Sequence, residues 1–170
     1  PRMVTATLPA ANNGTLNPVT KNVSVPAVHP AGVTTCLESS STGTNSTLLS
    51  VYGLDGRVDT GSVERTHGVW VYVNEDGYQV DNAGGWSATP LTANTWTWVQ
   101  QTNSTDADAY ATFYVTKISG NASTTARAYI TGVIAEAGTT APENFFDGST
   151  GMSGNSIYSW TSTVNLSTSR

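Results

Sequence analysis

Frequent chain reversals constrain this sequence more than any other feature. Asn13-Gly14, Asp55-Gly56, Asp76-Gly77, Gly84-Gly85, Gly120-Asn121 and Asp147-Gly148 each supply residues that tolerate a reversed or left-handed backbone. No long apolar stripe of helical period runs between them, and the only rival stretch, 133–137, is too short for a helix. The intervening runs are short and rich in β-branched residues. Residues 19–28 alternate in part, with Val23 and Val25 on one face and Pro26 weakening any pairing beyond. Residues 33–37 and 47–52 read as two further strands. The clearest is 63–73, where Val69, Val71 and Val73 face one way and Trp70 and Tyr72 the other. Residues 95–101, 109–118 and 125–135 continue the series. Many short strands at regular spacing predict an all-β sandwich or barrel, whereas βα alternation would have implied a parallel sheet. Closing two sheets face to face also protects the edges that such strands would otherwise expose. From Thr139 onward Pro142, Asn144, Gly148, Gly151 and Gly154 surround Phe145 and Phe146. That tail is expected to be irregular.

The chain of 170 residues is long enough to bury one core. Charged residues make up only 11% of it, and Ser and Thr about a quarter. A surface of hydroxyls and amides stays soluble with few charges, a pattern that favours extracellular or virion proteins. The net charge is −5, and seven scattered basic residues cannot neutralise a phosphate backbone, so nucleic acid is not an expected partner. No apolar run approaches the roughly 18 residues that span a bilayer, so no membrane is expected either. No signal-peptide pattern opens the chain. Cys36 is the sole cysteine, which excludes an internal disulfide, and its place in an apparent strand makes it a small buried hydrophobe.

Catalytic chemistry finds little support. Glycoside hydrolysis needs two carboxylates about 5–10 Å apart across a cleft. Of Glu64, Glu75, Asp76, Glu136 and Glu143, the pair Glu75-Asp76 is explained by the turn at Gly77, and the others do not converge. The two histidines, His29 and His67, read as packed or surface residues, and the stretch Gly151-Met152-Ser153-Gly154-Asn155 lacks the last glycine of a nucleophile elbow. No zinc motif, paired C-x-x-C or phosphate-binding loop is present, so no cofactor and no catalytic residue is expected. Asp55, Asp59, Asp81, Asp106, Asp108 and Asp147 could offer oxygens to calcium, but only Asp106-x-Asp108 has any ligand-like spacing.

Aromatics carry more information. Sugar rings present C–H arrays that stack on flat aromatic faces, while amides and hydroxyls bond their oxygens. Trp70 with Tyr72, and Trp96 with Trp98, form same-face pairs too bulky for one small core. Trp86, after Gly84-Gly85, and Trp98 lead the candidates for contact with a glycan or partner, followed by Trp70, Tyr72 and Tyr78.

Particular segments now show a resemblance. Val69–Val73 followed by Leu91–Val99, with Trp96 and Trp98, is similar to the middle of carbohydrate-binding-module-like jelly rolls. Tyr129–Gly138 resembles their last strand, and Ala141–Thr150, containing Phe146-Asp147-Gly148, resembles the "yFDGdt" ending. Tyr158-Ser159-Trp160-Thr161 and Asn165–Ser169 are similar to the tail that follows it, and Pro1-Arg2-Met3 to a trimmed "NPsFE" opening. This ending resembles minor tail and related virion proteins of tailed phages infecting actinobacteria. The resemblance spans nearly the whole chain, most specifically over 125–170. It implies a jelly-roll β-sandwich of two antiparallel sheets over 1–138, with 139–170 as an irregular C-terminal extension packing on the sandwich or a neighbouring subunit. It also implies a non-enzymatic virion protein, of the minor tail or a capsid decoration, that serves host-surface attachment or particle assembly. Its expected partners are other virion proteins in a symmetric or homo-oligomeric assembly and host cell-wall glycans, at the virion surface. The alternative is a carbohydrate-binding module of a secreted bacterial glycan-active protein. Sugar-binding members often build a calcium site from an early Glu and a "vDD" strand. Met3-Val4 and Thr131-Gly132 stand at those places, so no structural calcium is expected. Trp98 stands where the family often has Arg or another polar residue, which marks it as an exposed contact residue.

Overall fold

The computed structural model describes residues 19–40, 48–54, 65–82, 88–103 and 111–137. Among these described residues nine strands form: β1 (Val19–Ser24), β2 (Thr35–Ser40), β3 (Leu48–Leu54), β4 (Arg65–Val73), β5 (Tyr78–Asn82), β6 (Thr89–Leu91), β7 (Thr97–Asn103), β8 (Ala111–Lys117) and β9 (Arg127–Ala137). Among the described residues there is no helix, and 133–137 belongs to β9.

The strands make two antiparallel sheets, β1-β2-β9-β4-β7 and β3-β8-β5-β6. Leaving β1 and the β5–β6 hairpin aside, each connection crosses from one sheet to the other, so that β2-β9-β4-β7 faces β3-β8-β5-β6. Two interleaved Greek keys of this order define a jelly roll, and β1 widens one sheet by pairing with β2.

The expected alternation in β4 decides where the core lies. Val69, Val71 and Val73 point between the sheets, where they meet Val99 of β7, Val80 of β5, Phe113 and Val115 of β8, Leu49 of β3 and Ile130 of β9. Full burial of each such aliphatic side chain is worth about 1.5–3 kcal/mol. His67 is also buried, on the same side of β4 as these valines by strand alternation. The β4–β9 ladder is irregular between Gly68 and Trp70, where β9 carries one extra residue, between Ile134 and Thr131.

Two strands escaped the sequence reading. β5 carries Gln79 and Asp81 facing outward, and β6 has three residues including Pro90. Proline cannot donate to a ladder, yet β6 is an edge strand, where a missing donor can be tolerated. The predicted 95–101 strand begins at Thr97, because residues 92–96 form a tight approach in which Asn94 takes a positive φ of 59°. The turns at Asp76-Gly77 and Gly120-Asn121 are present, with Gly77 at φ 86° and Gly120 at φ 74°. The other four turn dipeptides and the 139–170 extension lie outside the described residues.

Candidate functional site

The outer face of the five-stranded sheet gathers five aromatic residues, Trp70, Tyr72, Trp96, Trp98 and Tyr129. Antiparallel register sets Trp70 beside Trp98, and Tyr72 beside Tyr129. Cross-strand partners point to the same side, so all four side chains leave the sheet away from its core. Ring centroids lie 5.5 Å apart for Trp70 and Trp98, 5.6 Å for Tyr72 and Tyr129, and 5.4 Å for Tyr72 and Trp96. Those spacings and their tilted or edge-on angles are favourable for aromatic pairs. Cys36 joins the same cluster, with Val23, Val25 and Ala27 packed against it.

This second cluster is open at one side and covered at the other. Trp70, Tyr72 and Trp96 are buried, whereas Trp98 and Tyr129 remain half-buried and Gln100, two residues along β7 on the same face, is exposed. Residues 25–34, the connection from β1 to β2, fold over the covered side. His29 is buried between two indoles, with ring centroids 5.1 Å from Trp70 and 4.6 Å from Trp96. The indole Nε1 of Trp96 donates to the carbonyl of Ala27 at 3.4 Å. Tyr72 donates its hydroxyl to Asn94 Oδ1 at 2.9 Å, which fixes the loop before β7. The indole Nε1 of Trp98 is buried without a hydrogen-bond partner.

Polar groups border the open side. Glu38 of β2 pairs with Tyr129 of β9 across the ladder. Burial, then the hydrogen bond and charge of Glu38, push the Tyr129 hydroxyl up to about 12. The phenol therefore stays protonated and donates to the carboxylate. Thr131, next on the same face of β9, donates to the carbonyl of Thr35 at 3.3 Å. Together these residues offer a flat ring, a second ring edge, an amide and a carboxylate–hydroxyl pair.

The sequence-predicted contact residues fare differently. Trp98 lies on the open part of the face. Trp70 and Tyr72 lie on the same face beneath neighbouring rings, and reach its surface only as support for Trp98 and Tyr129. Tyr78 is corrected to a core residue: it is 0% exposed, because residue 78 opens β5 pointing between the sheets. Its hydroxyl accepts the backbone N–H of Ser123 at 3.1 Å, and Lys117 Nζ sits 4.5 Å from its ring centroid. Trp86 lies outside the described residues. Tyr129, Glu38 and Gln100 were not singled out by the sequence. Nothing local marks them, since the face exists only once β9 has inserted between β2 and β4.

Glu75 and Asp76 are tied into loop structure. Glu75 Oε1 accepts from Thr125 Oγ1 at 2.6 Å and Ser123 Oγ at 3.4 Å, while Asp76 Oδ1 accepts from the Ala93 N–H at 2.9 Å. Asp81 likewise accepts from Gln79 and Thr116. Among the described residues, no group of three or more His, Cys, Asp or Glu side chains is arranged to hold a metal ion. Within those residues, too, no helix is long and apolar enough to cross a membrane.

No protein-family model matches the chain, and no curated protein matches it. Solved structures do show likeness. The CBM22-1–GH10 modules of Clostridium thermocellum endo-1,4-β-D-xylanase 10B, complexed with xylohexaose, are 16% identical with a TM-score of 0.46, over 69% of this chain and 24% of that one. The CBM22-1 xylan-binding domain of Paenibacillus barcinonensis Xyn10C is 12% identical at a TM-score of 0.44, over 75% of this chain and 88% of that one. The enzymatically active domain of bacteriophage CBA120 tailspike protein 4 is 12% identical at a TM-score of 0.38, over 79% of this chain and 19% of that one. The strand order of this chain, not these likenesses, carries the jelly-roll assignment.

Proposed function

We propose that this domain is a non-catalytic glycan-binding module whose contact surface is the outer face of the five-stranded sheet. The observation that carries this reading is the half-open aromatic platform of Trp98 and Tyr129, backed by buried Trp70 and Tyr72 and bordered by Gln100 and the Glu38–Tyr129 pair. A rigid sheet holds the rings, so little order has to be gained on binding. The two carboxylates of the β4–β5 turn serve loop hydrogen bonds, which speaks for binding rather than hydrolysis.

A virion setting is a second reading, motivated by the sequence likeness of 125–170 to tail proteins of actinobacterial phages, with Phe146-Asp147-Gly148 and Tyr158–Thr161 as its marks. In that setting the same face would meet a host cell-wall polysaccharide or a neighbouring subunit.

Glycan-array and cell-wall pull-down measurements on the full chain test both readings. Binding to a polysaccharide that falls at least about tenfold in Trp98→Ala, the loss of about 1.4 kcal/mol of contact, supports the module. Binding to no polysaccharide, with the domain found between subunits in a purified particle, would assign the face to assembly instead.

A further inference from the structure

Residues 25–34 do more than connect two strands. They form a strap closed at its base by the Val25 N–H donating to the Thr34 carbonyl at 3.0 Å. At its tip His29, Pro30, Ala31 and Gly32 make a tight turn, with the Gly32 N–H donating to the His29 carbonyl at 2.9 Å and Gly32 at φ 72°. Proline in the second position presets that turn. Alternation then splits the strap: Ala27 and His29 face the sheet, while Val28 between them is 95% exposed.

Among the described residues, two contacts fasten the strap to the sheet. One is the Trp96 indole on the Ala27 carbonyl; the other is His29 lodged against Trp70 and Trp96. The His29 ring also stabilises its own turn, because Nδ1 accepts the Ala31 N–H at 3.0 Å. That bond fixes the tautomer: Nδ1 is bare and Nε2 carries the proton. The Nε2 atom is buried and has no hydrogen-bond partner.

We propose that the strap is a proton-operated cover, held shut over Trp70 and Trp96 by neutral His29 and released when Nδ1 takes up a proton. A proton on Nδ1 faces the Ala31 N–H, so two donors meet head to head and the bond that caps the turn is lost. Among the described residues, the groups in ring contact with His29 offer the new charge no carboxylate. The elements packed on the ring supply Trp70 from β4 and Trp96 from the segment before β7, neither of which titrates. Elsewhere on the same cluster Tyr72 donates to Asn94, and Cys36 of β2 is a thiol pushed up to about 11 by burial and by Glu38. Tyr129 stays protonated, and Glu38 is engaged with it. Burial accordingly holds the His29 imidazole below its ordinary value. Opening would extend the Trp98–Tyr129 platform by Trp70 and Trp96, an extension that matters for ligand only if the glycan-face reading holds.

The test needs no ligand. Hydrogen–deuterium exchange of the full chain is followed on peptides covering 25–34 and 92–98, corrected for the intrinsic pH dependence of exchange. Far-UV circular dichroism monitors the fold. Between about pH 7.5 and pH 5, the protection of both segments should fall at least about tenfold in the wild type and stay level in His29→Phe. His29→Gln, whose amide oxygen can still accept from Ala31, should also stay level, and it serves if the phenylalanine variant fails to fold. Unchanged protection in the wild type, as when the two indoles hold the imidazolium in place, overturns the proposal. So does an equal loss of protection in either variant. Loss of glycan binding with the exchange switch intact would remove the ligand reading and leave the cover standing.

Discussion

Single side chains in this domain divide by whether they hold the core or present a surface. Tyr78 belongs to the first group despite its polar tip, since its hydroxyl accepts from Ser123 and its ring is fully enclosed. Tyr78→Phe should lower stability by about 1 kcal/mol by leaving the Ser123 N–H unmatched. Tyr78→Ala should cost about 3–5 kcal/mol through the cavity it opens. Chemical denaturation at neutral pH measures both, and near-equal costs would mean that the ring contributes little. Gly77 makes a second case. Its φ of 86° strains any side chain placed there, and a methyl group would lie 3.0 Å from Lys117 Nζ, so the flexible end of that lysine would also have to shift. Gly77→Ala should therefore destabilise by about 1–2 kcal/mol, seen as a lower denaturation midpoint.

At the scale of elements, the sequence was legible wherever one strand carried its own pattern. The Val69–Val71–Val73 alternation located β4, its inner face and the opposed Trp70–Tyr72 pair without any knowledge of the partners. β5 and β6 were silent because five and three residues hold too few alternations, and Pro90 argues against a strand unless the edge position is known. Trp98 was marked for the outer surface on a likeness and is half-buried there, but Glu38 and Tyr129 meet only through the β2–β9 ladder. Residues far apart in sequence leave no local trace of that meeting. His29 read only as a packed or surface histidine, and the two enclosing indoles reveal what the β1–β2 connection covers. Trp96→Phe removes the indole N–H that binds Ala27 while keeping an aromatic ring. It should raise exchange in 25–34 several-fold at neutral pH with little change in β4, since only one of the strap's fastenings is lost.

For the whole molecule, acid sensitivity follows from the His29 imidazole, which burial holds below its ordinary value. An unfolded chain binds that proton near pH 6.5, whereas the folded chain resists it to lower pH. Stability is therefore fully present above about pH 6.5 and declines as pH falls from there through the folded-state value. Denaturant midpoints should drop across that interval in the wild type and drop less in His29→Phe. An identical decline in both proteins would place the acid sensitivity elsewhere.

The position of β9 has a consequence for biosynthesis. It is the last strand along the described chain, yet it lies in the middle of its sheet, between β2 and β4. A ribosome delivers the eight earlier strands before the one that joins them. Until residues 127–137 emerge, β2 and β4 each keep an open edge, which is a template for pairing with another chain. Completion from the centre, rather than from a rim, makes nascent chains of this domain most vulnerable to aggregation in the interval before β9 emerges.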